Sequence, residues 1–197
     1  MNMDQGTVPT HDLAARALFS ERRWLLDVFY HLDRTGVSLQ SGQLLQLIPF
    51  TLEGRPECEA MLKRMFPEGL TQFGIDIIHE RLDGLVLKRE IEVERVRRAN
   101  YSDRQSRYIS VFGCRQIEDV EGLRQLLFHP LHQGPRGRIW KVEGDATFHS
   151  DMMWFKEYCG NDTAAADAYW SQKASEKPLV EYLLKTPVTV LDEILGA

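Results

Sequence analysis

The sequence predicts a single α+β domain, and three features of the chain support that class. Its length of 197 residues suits one domain, and no Gly/Ser/Pro-rich stretch divides it. Hydrophobic residues make up 43% and charged residues 27%, a balance that allows one apolar interior. Predicted strands and helices are mixed without regular alternation, which disfavours a doubly wound parallel sheet. We therefore predict one domain over residues 12–197 and a loose polar tail over residues 1–11.

The predicted strands are short apolar runs, rich in branched and aromatic side chains and bounded by turn residues. The first covers residues 24–32 and ends near His31, because Asp33 and Gly36 belong to a turn sequence. The remaining strands or extended pieces are predicted over residues 43–50, 108–112, 138–143 and 188–191.

Apolar residues at helical spacing predict the helices. One apolar face, at positions i, i+3, i+7 and i+8, consists of Leu70, Phe73, Ile77 and Ile78. Thr71 is placed to cap this helix, and the Asp83-Gly84 pair is placed to end it. Further helices are predicted over residues 13–22, 119–128 and 163–174.

Residues 85–99 fit two descriptions. Ile91 and Val93 alternate with charged residues as in a strand, whereas the length of the segment and the spacing of Glu94 and Arg98 suit a helix. We favour the helix.

The net charge of the chain limits the kinds of partner that it can attract. The formal net charge of −5 gives no global attraction to nucleic acid. A basic cluster nevertheless lies within thirteen residues and consists of Arg95, Arg97, Arg98, Arg104 and Arg107. It is either a local basic patch or a solvated helix face followed by a loop.

Cysteine content and hydropathy indicate a cytoplasmic, soluble protein. Cys58, Cys114 and Cys159 are far apart and form no Cys-x-x-Cys pair, which argues against a disulfide framework and against a zinc ribbon. No apolar stretch reaches the roughly 20 residues needed to cross a bilayer. The first residues lack the charged start and apolar run of a secretory signal.

Several classes of site are disfavoured by their missing motifs. No glycine fingerprint or phosphate-cradling loop follows a strand, and no Gly-x-Ser-x-Gly elbow is present. Four residues could be drawn together as zinc ligands, namely His129, His132, His149 and Asp151. Because Pro130 breaks the helical presentation of the first pair, we expect no metal.

Five pieces of the chain, taken in order, resemble one known pattern: FYHLDR (29–34), SRYISVF (106–112), RIWKVE (138–143), DMMWF (151–155) and PLVEYLL (178–184). The chain resembles a bacterial, formerly uncharacterised family within the ADP-ribosyltransferase superfamily. The resemblance implies a split, mixed β-sheet with flanking helices that holds NAD as the substrate. The chain departs from the family pattern at Gln105, where family members often carry proline.

The resemblance also implies site residues. By their order, His31, Ser110 and Glu181 match the three superfamily positions on the first strand, a middle strand and late in the chain. Glu181 and His31 are the candidate catalytic residues. The candidate NAD-contacting residues are His31, Tyr30, Ser106, Arg107, Tyr108 and Ser110.

The chemistry explains the need for these residue types. Cleavage of the bond between nicotinamide and ribose leaves positive charge on the sugar, and a fixed carboxylate stabilises that state more than the ground state. Glu181 would supply the carboxylate, His31 would orient the ligand through a ring nitrogen, and Arg107 would meet the pyrophosphate.

Plainer structural roles stand beside these. Glutamates lie mostly on solvent-facing surfaces, a strand histidine such as His31 is commonly bonded to a backbone carbonyl, and Ser110 fits an ordinary strand serine. An aromatic group is expected in the core and consists of Trp154, Phe155, Tyr169 and Trp170.

The expected function is transfer of ADP-ribose from NAD to a macromolecular acceptor, by a toxin or phage-defence effector that a neutralising protein could accompany. Leu179 stands where arginine-modifying transferases resemble each other in carrying Glu or Gln, so we expect RNA, DNA or a non-arginine side chain as the acceptor. The alternatives are an inactive interaction domain with this fold and an NAD glycohydrolase.

Overall fold

The computed structural model describes residues 27–33, 39–80, 84–127, 137–155 and 162–194. Within these ranges, one five-stranded sheet is accompanied by five helices. The strands are β1 (Asp27–Asp33), β2 (Leu44–Leu45), β3 (Ser110–Gly113), β4 (Arg138–Asp151) and β5 (Val180–Glu193). The helices are α1 (Pro56–Met65), α2 (Gln72–Ile78), α3 (Gly84–Asn100), α4 (Ile117–Leu127) and α5 (Asp162–Trp170). The α+β class is confirmed, while the predicted tail over 1–11 and helix over 13–22 lie outside the described residues.

The two long strands, β4 and β5, form the centre of the sheet. The strand order is β1-β4-β5-β2, and β3 pairs with β5 beside β2. Each of these pairs is antiparallel, where the resemblance implied a mixed sheet. Register shifts interrupt the β4–β5 ladder at three places, and such bulges bend a strand. The sheet is therefore curved, and its two edges come close together. Tyr30 of β1 and Cys114, just after β3, exchange two backbone hydrogen bonds of 2.8 Å.

The sheet has two packed faces. Successive side chains in a strand point to opposite faces, so Leu183 of β5 packs with Tyr169 and Trp170 of α5, whereas Leu184 packs with Phe29 on the other side. We call these the helix face and the second face. Burial of the two aromatic residues of α5 confirms that this part of the aromatic group belongs to the core.

The helix predictions hold where the apolar pattern was clear. Helix α2 lies where the Leu70 to Ile78 pattern predicted it, and the Thr71 hydroxyl accepts a hydrogen bond of 3.4 Å from the backbone N–H of Gly74. The helix ends at Ile78, earlier than predicted, and Gly84 begins α3. The ambiguous segment is helical, as α3.

Several elements differ from the sequence prediction. Strand β2 covers only Leu44–Leu45 of the piece predicted over 43–50, and β4 and β5 extend well beyond the strands predicted over 138–143 and 188–191. Helix α1 was not predicted, although Cys58, Met61, Leu62 and Met65 stand at the helical spacing i, i+3, i+4 and i+7. Pro56 at its start and acidic side chains in its first turn also favour it locally. The predicted strand over 108–112 begins only at Ser110, after a 3-10 turn, Arg107–Ile109, that Ser106 caps through its side chain.

Gly74 lies at a close helix–turn contact. A Cβ atom at this position would lie 2.4 Å from the carbonyl oxygen of Tyr108, a backbone atom that cannot rotate away. We expect Gly74→Ala to lower the free energy of unfolding by about 1–3 kcal/mol, as overpacked sites do. Urea denaturation measures this effect. Gly84→Ala is the control, since its Cβ would meet nothing within 4 Å; an equal loss in both variants would contradict the steric explanation.

Candidate functional site

A buried polar cluster lies where the helix face of the sheet meets α3 and α5. We call it the Arg107 cluster, and its members are Arg107, Glu90, Tyr169 and Glu181. Arg107 comes from the 3-10 turn before β3, and each of its partners comes from a different element. The exposed fractions are 3% for Arg107, 2% for Glu90 and 3% for Glu181, so the ionic groups lie in the interior.

Hydrogen bonds join all members of the Arg107 cluster. Arg107 donates from Nε to Glu90 Oε2 at 2.9 Å and from Nη1 to the Tyr169 hydroxyl at 2.7 Å. The same Nη1 pairs with Glu181 Oε1. Tyr169 in turn donates its hydroxyl to Glu181 Oε1 at 2.8 Å. One carboxylate oxygen of Glu181 is therefore held from two directions.

Aromatic rings surround the guanidinium group. Its central carbon lies 4.7 Å from the ring centroid of Phe112, 5.1 Å from that of Tyr169 and 5.5 Å from that of Phe155. At these distances the ring faces attract a cation, and they also exclude water. The ion pair therefore lies in a low-dielectric environment, where charge interactions are strong.

Electrostatics keep the cluster charged. Burial alone lowers the pKa of Arg107, but the charges of Glu181 and Glu90 outweigh it, so the pKa lies above its ordinary value and the guanidinium remains protonated. Burial raises the pKa of Tyr169, which keeps its hydroxyl a donor. Arg89, 3.8 Å from Glu90, supplies a second positive charge. Two arginines thus balance two glutamates.

In the structure, the two serines predicted to contact NAD, Ser106 and Ser110, hold the turn before β3. Ser106 donates its hydroxyl to Glu94 at 2.8 Å and accepts from the backbone N–H of Tyr108. Ser110 donates to the carbonyl oxygen of Ser106 at 2.7 Å and accepts from Gln105. All these groups have protein partners in the structure.

The predicted tyrosines have structural contacts too. Tyr108 is buried and donates its hydroxyl to the carbonyl oxygen of Glu90 at 3.2 Å. Tyr30 packs against the core on the helix face, and its backbone forms the bridge to Cys114.

His31 links β1 to β3. Its Nδ1 lies 2.8 Å from the carbonyl oxygen of Phe112, the kind of contact expected of an ordinary strand histidine. Because residues alternate along β1, His31 shares the second face with Phe29, whereas Glu181 points to the helix face. The structure therefore brings Arg107 and Glu181 together and His31 beside β3, but His31 and Glu181 lie on opposite faces of the sheet.

Sequence reasoning missed Glu90. One signal was available: Glu90, Glu94 and Arg97 recur at i, i+4 and i+7, which places them on one side of α3. All three are buried, so this stripe marks polar residues that face the interior.

The basic cluster seen in the sequence is largely compensated in the structure. Four of its arginines contact glutamates of the chain, namely Arg95, Arg97, Arg98 and Arg107. The exception, Arg104, lies with its guanidinium carbon 5.1 Å from the ring centroid of Phe148. The α3 arginines therefore contribute little free positive charge.

Asp151 holds the segment that leads into β5. Its carboxylate accepts hydrogen bonds from the backbone N–H groups of Met153, Ser175 and Leu179 at 2.7–2.9 Å. Burial raises the pKa of Asp151, but these hydrogen bonds outweigh burial and lower the pKa below its ordinary value.

A pH dependence follows from this contact. Since the folded-state pKa of Asp151 is depressed, its stabilisation is complete above the unfolded pKa and is lost as pH falls through the folded value. We expect Asp151→Asn to flatten the acid limb of the curve of unfolding free energy against pH. Urea titrations between neutral and acidic pH measure this, and an unchanged limb would contradict the role of Asp151.

In the ranges that the structure describes, no group of three or more His, Cys, Asp or Glu side chains is arranged to hold a metal ion. His129 and His132 lie outside those ranges. None of the described helices is long and apolar enough to span a bilayer.

Comparison with known proteins identifies a family. Residues 63–196 match the family described as "Protein of unknown function (DUF2441)", and this range contains every member of the Arg107 cluster. His31 precedes it. No curated protein matches the chain. Because the match spans more than half of the sequence, the chain belongs to the DUF2441 family.

Proposed function

We propose that the chain is an NAD-dependent ADP-ribosyltransferase in which Glu181 is the catalytic carboxylate. The observation that carries the proposal is the contact between Arg107 and Glu181. These residues are 74 positions apart, and they belong to two of the five pieces that resemble the family pattern. A motif pair that meets in a buried cluster has the proximity that a shared ligand site requires.

The reaction suits a carboxylate in a low-dielectric site. The bond between C1′ of the ribose and the nicotinamide nitrogen breaks, and the electron pair leaves with nicotinamide. An acceptor nucleophile then forms a bond to C1′ and loses its proton. Positive charge develops on the sugar between these events, and Glu181 would stabilise it.

Binding of NAD at this site requires Arg107 and Glu181 to exchange partners. In the structure Glu181 faces the guanidinium of Arg107, so a ligand must separate the pair. NAD carries a positive charge on its nicotinamide ring and a negative pyrophosphate. We propose that the nicotinamide ribose takes the place of the guanidinium beside Glu181, while Arg107 keeps Glu90 and turns to the pyrophosphate.

The proposed acceptor is a nucleic acid or a non-arginine side chain, and the proposed setting is a cytoplasmic toxin or phage-defence effector with a neutralising partner. Leu179, two residues before Glu181, supports a non-arginine acceptor. The same residues would also serve an NAD glycohydrolase, in which water is the acceptor.

A second candidate is an inactive interaction domain. The exposed fraction of Glu181 is 3%, and His31 lies on the opposite face of the sheet. If the Arg107 cluster never opens, it is a structural ion-pair network and the chain acts only by binding.

Incubation with NAD labelled in its adenosine part, in a lysate that contains protein and RNA, separates these functions. The proposal predicts release of nicotinamide, with label that protease or nuclease digestion removes from the macromolecular fraction. Nicotinamide release with free labelled ADP-ribose alone would indicate the hydrolase. No release by a chain that circular dichroism shows to be folded would contradict both activities and leave the interaction domain.

A further inference from the structure

Basic and aromatic side chains form a continuous row over the surface at the C-terminal part of β4. We call it the basic aromatic strip, and its members are Arg115, Tyr182, His149, Gln172 and Arg104. The guanidinium carbon of Arg115 lies 5.3 Å from the ring centroid of Tyr182. The rings of Tyr182 and His149 lie 5.5 Å apart at 33°, so they are close to parallel.

Gln172 extends the strip around the edge of β4. Its Nε2 donates to the carbonyl oxygen of His149 at 3.0 Å and lies 3.5 Å from both ring nitrogens. Its Oε1 accepts from Arg104 Nη1 at 3.3 Å. Arg104 lines a surface cavity of about 460 Å³ together with a further cation, Lys185. The row therefore runs from Arg115 across the rings of Tyr182 and His149 to two further cations, Arg104 and Lys185.

Strand register produces this row. Gly113, Tyr182 and His149 are directly opposite one another on β3, β5 and β4. A Cβ atom at Gly113 would lie 2.8 Å from Cβ of Phe29, so only glycine lets β1 and β3 approach this closely. The rings of Phe29 and Tyr182 meet there, 5.3 Å apart, and support Arg115.

The strip is accessible in the structure. The side chains of Arg115 and Arg104 are 50% and 33% exposed, and His149 and Gln172 are exposed. Planar rings and guanidinium planes offer stacking surfaces for bases, and cations beside them attract phosphates. Several such groups in a row span more than one nucleotide.

We infer that the basic aromatic strip binds single-stranded nucleic acid without reading its sequence. The ligand chemistry is a stacked base followed by a phosphate, repeated along a chain. The inference does not depend on NAD chemistry, because Tyr182 and Glu181 are adjacent in β5 and point to opposite faces. Variants at Arg115 and His149 should therefore leave the Arg107 cluster intact.

Two acidic residues oppose the strip. Asp27 pairs with Arg115, and Asp103 lies 3.9 Å from Arg104. A phosphate must compete with these carboxylates for the arginines. Binding is also expected to fall as salt concentration rises, because contacts to phosphates release counterions from the nucleic acid. Asp27→Asn, which removes the competitor of Arg115, should tighten binding.

Fluorescence anisotropy with a labelled, short, mixed-sequence single-stranded RNA tests the inference. Arg115→Ala, His149→Ala and Arg104→Ala should each weaken binding by about 5- to 100-fold, the range for loss of a stacking group. Arg55→Ala is the matched control, since Arg55 is an exposed arginine that pairs with Glu80 on another part of the surface. Because an exposed ion pair contributes little free energy, Arg55→Ala should change the affinity for RNA by less than about twofold.

Three results would overturn the inference: no binding of RNA by the folded wild-type chain, equal losses in Arg55→Ala and the strip variants, or an AMP affinity equal to that of the RNA. The last result would assign the strip to a free nucleotide. Thermal melting of each variant shows whether it is folded. If Arg115→Ala fails to fold, Arg115→Lys keeps the charge without the planar group and is expected to weaken binding as well.

Discussion

Glu181→Gln is expected to lower the rate of nicotinamide release from NAD by about 10²–10³-fold, the loss typical when one preorganised electrostatic group is removed. Glutamine has nearly the shape of glutamate, so the variant removes the negative charge beside the sugar while it fills the same space. The expected change is in kcat, because the charge on the ribose exists only in the transition state.

Glu90→Gln is the matched control for this variant. Both glutamates are buried and both bind Arg107, so both variants disturb the same ion-pair cluster. Only Glu181 is proposed to face the sugar, and we expect Glu90→Gln to lose less than about tenfold. Equal losses in the two variants would assign both residues to structural support and contradict a catalytic Glu181.

Arg107→Met is expected to lower the free energy of unfolding by about 3–5 kcal/mol, which is the cost of leaving buried charge without its partner. Glu90 and Glu181 would then lose their shared cation in an interior lined by aromatic rings. Urea denaturation monitored by circular dichroism measures the loss.

A surface variant and a combined variant complete this test. Arg95→Met removes an exposed arginine that pairs with Glu92, and it should cost less than about 1 kcal/mol. Adding Glu181→Gln to Arg107→Met removes one glutamate and leaves Arg89 opposite Glu90, so the buried charges are again balanced and much of the stability should return. A double variant as unstable as Arg107→Met alone would show that packing, and not charge, explains the loss.

The local sequence was sufficient to predict a helix that buries one clear apolar face. Thr71 and the apolar positions after it predicted α2, because cap and stripe lie within nine residues. Helix α3 was ambiguous for a physical reason: Val93 and Val96 are buried, but so are the polar Glu90, Glu94 and Arg97, which obscure the amphipathic pattern.

The candidate site was harder to derive from sequence. Arg107 was expected at an NAD pyrophosphate, but its contacts to Glu90 and Tyr169 join residues 17 and 62 positions apart. No local pattern encodes such contacts, since only the packing of α3 and α5 on the sheet creates them. The ion pairs on α3 are different, because the spacing of Glu94 and Arg98 already indicated a pair on one helix face. In the structure, Glu92 and Glu94 compensate Arg95 and Arg98.

The basic aromatic strip could not be predicted from the sequence either. Its members come from five separate positions along the chain and form no motif in the sequence. They meet because β-sheet register places Tyr182 beside His149, and because Gly113 leaves room for Phe29.

The position of Glu181 relative to bound NAD is the most direct test of the proposed function. A crystal structure of the chain with a non-cleavable NAD analogue measures the distance from the Glu181 carboxylate to the nicotinamide ribose. We predict a carboxylate oxygen within hydrogen-bond distance of that ribose, with Arg107 moved to the pyrophosphate. An analogue bound elsewhere, with Glu181 still paired to Arg107 in the interior, would contradict the proposal.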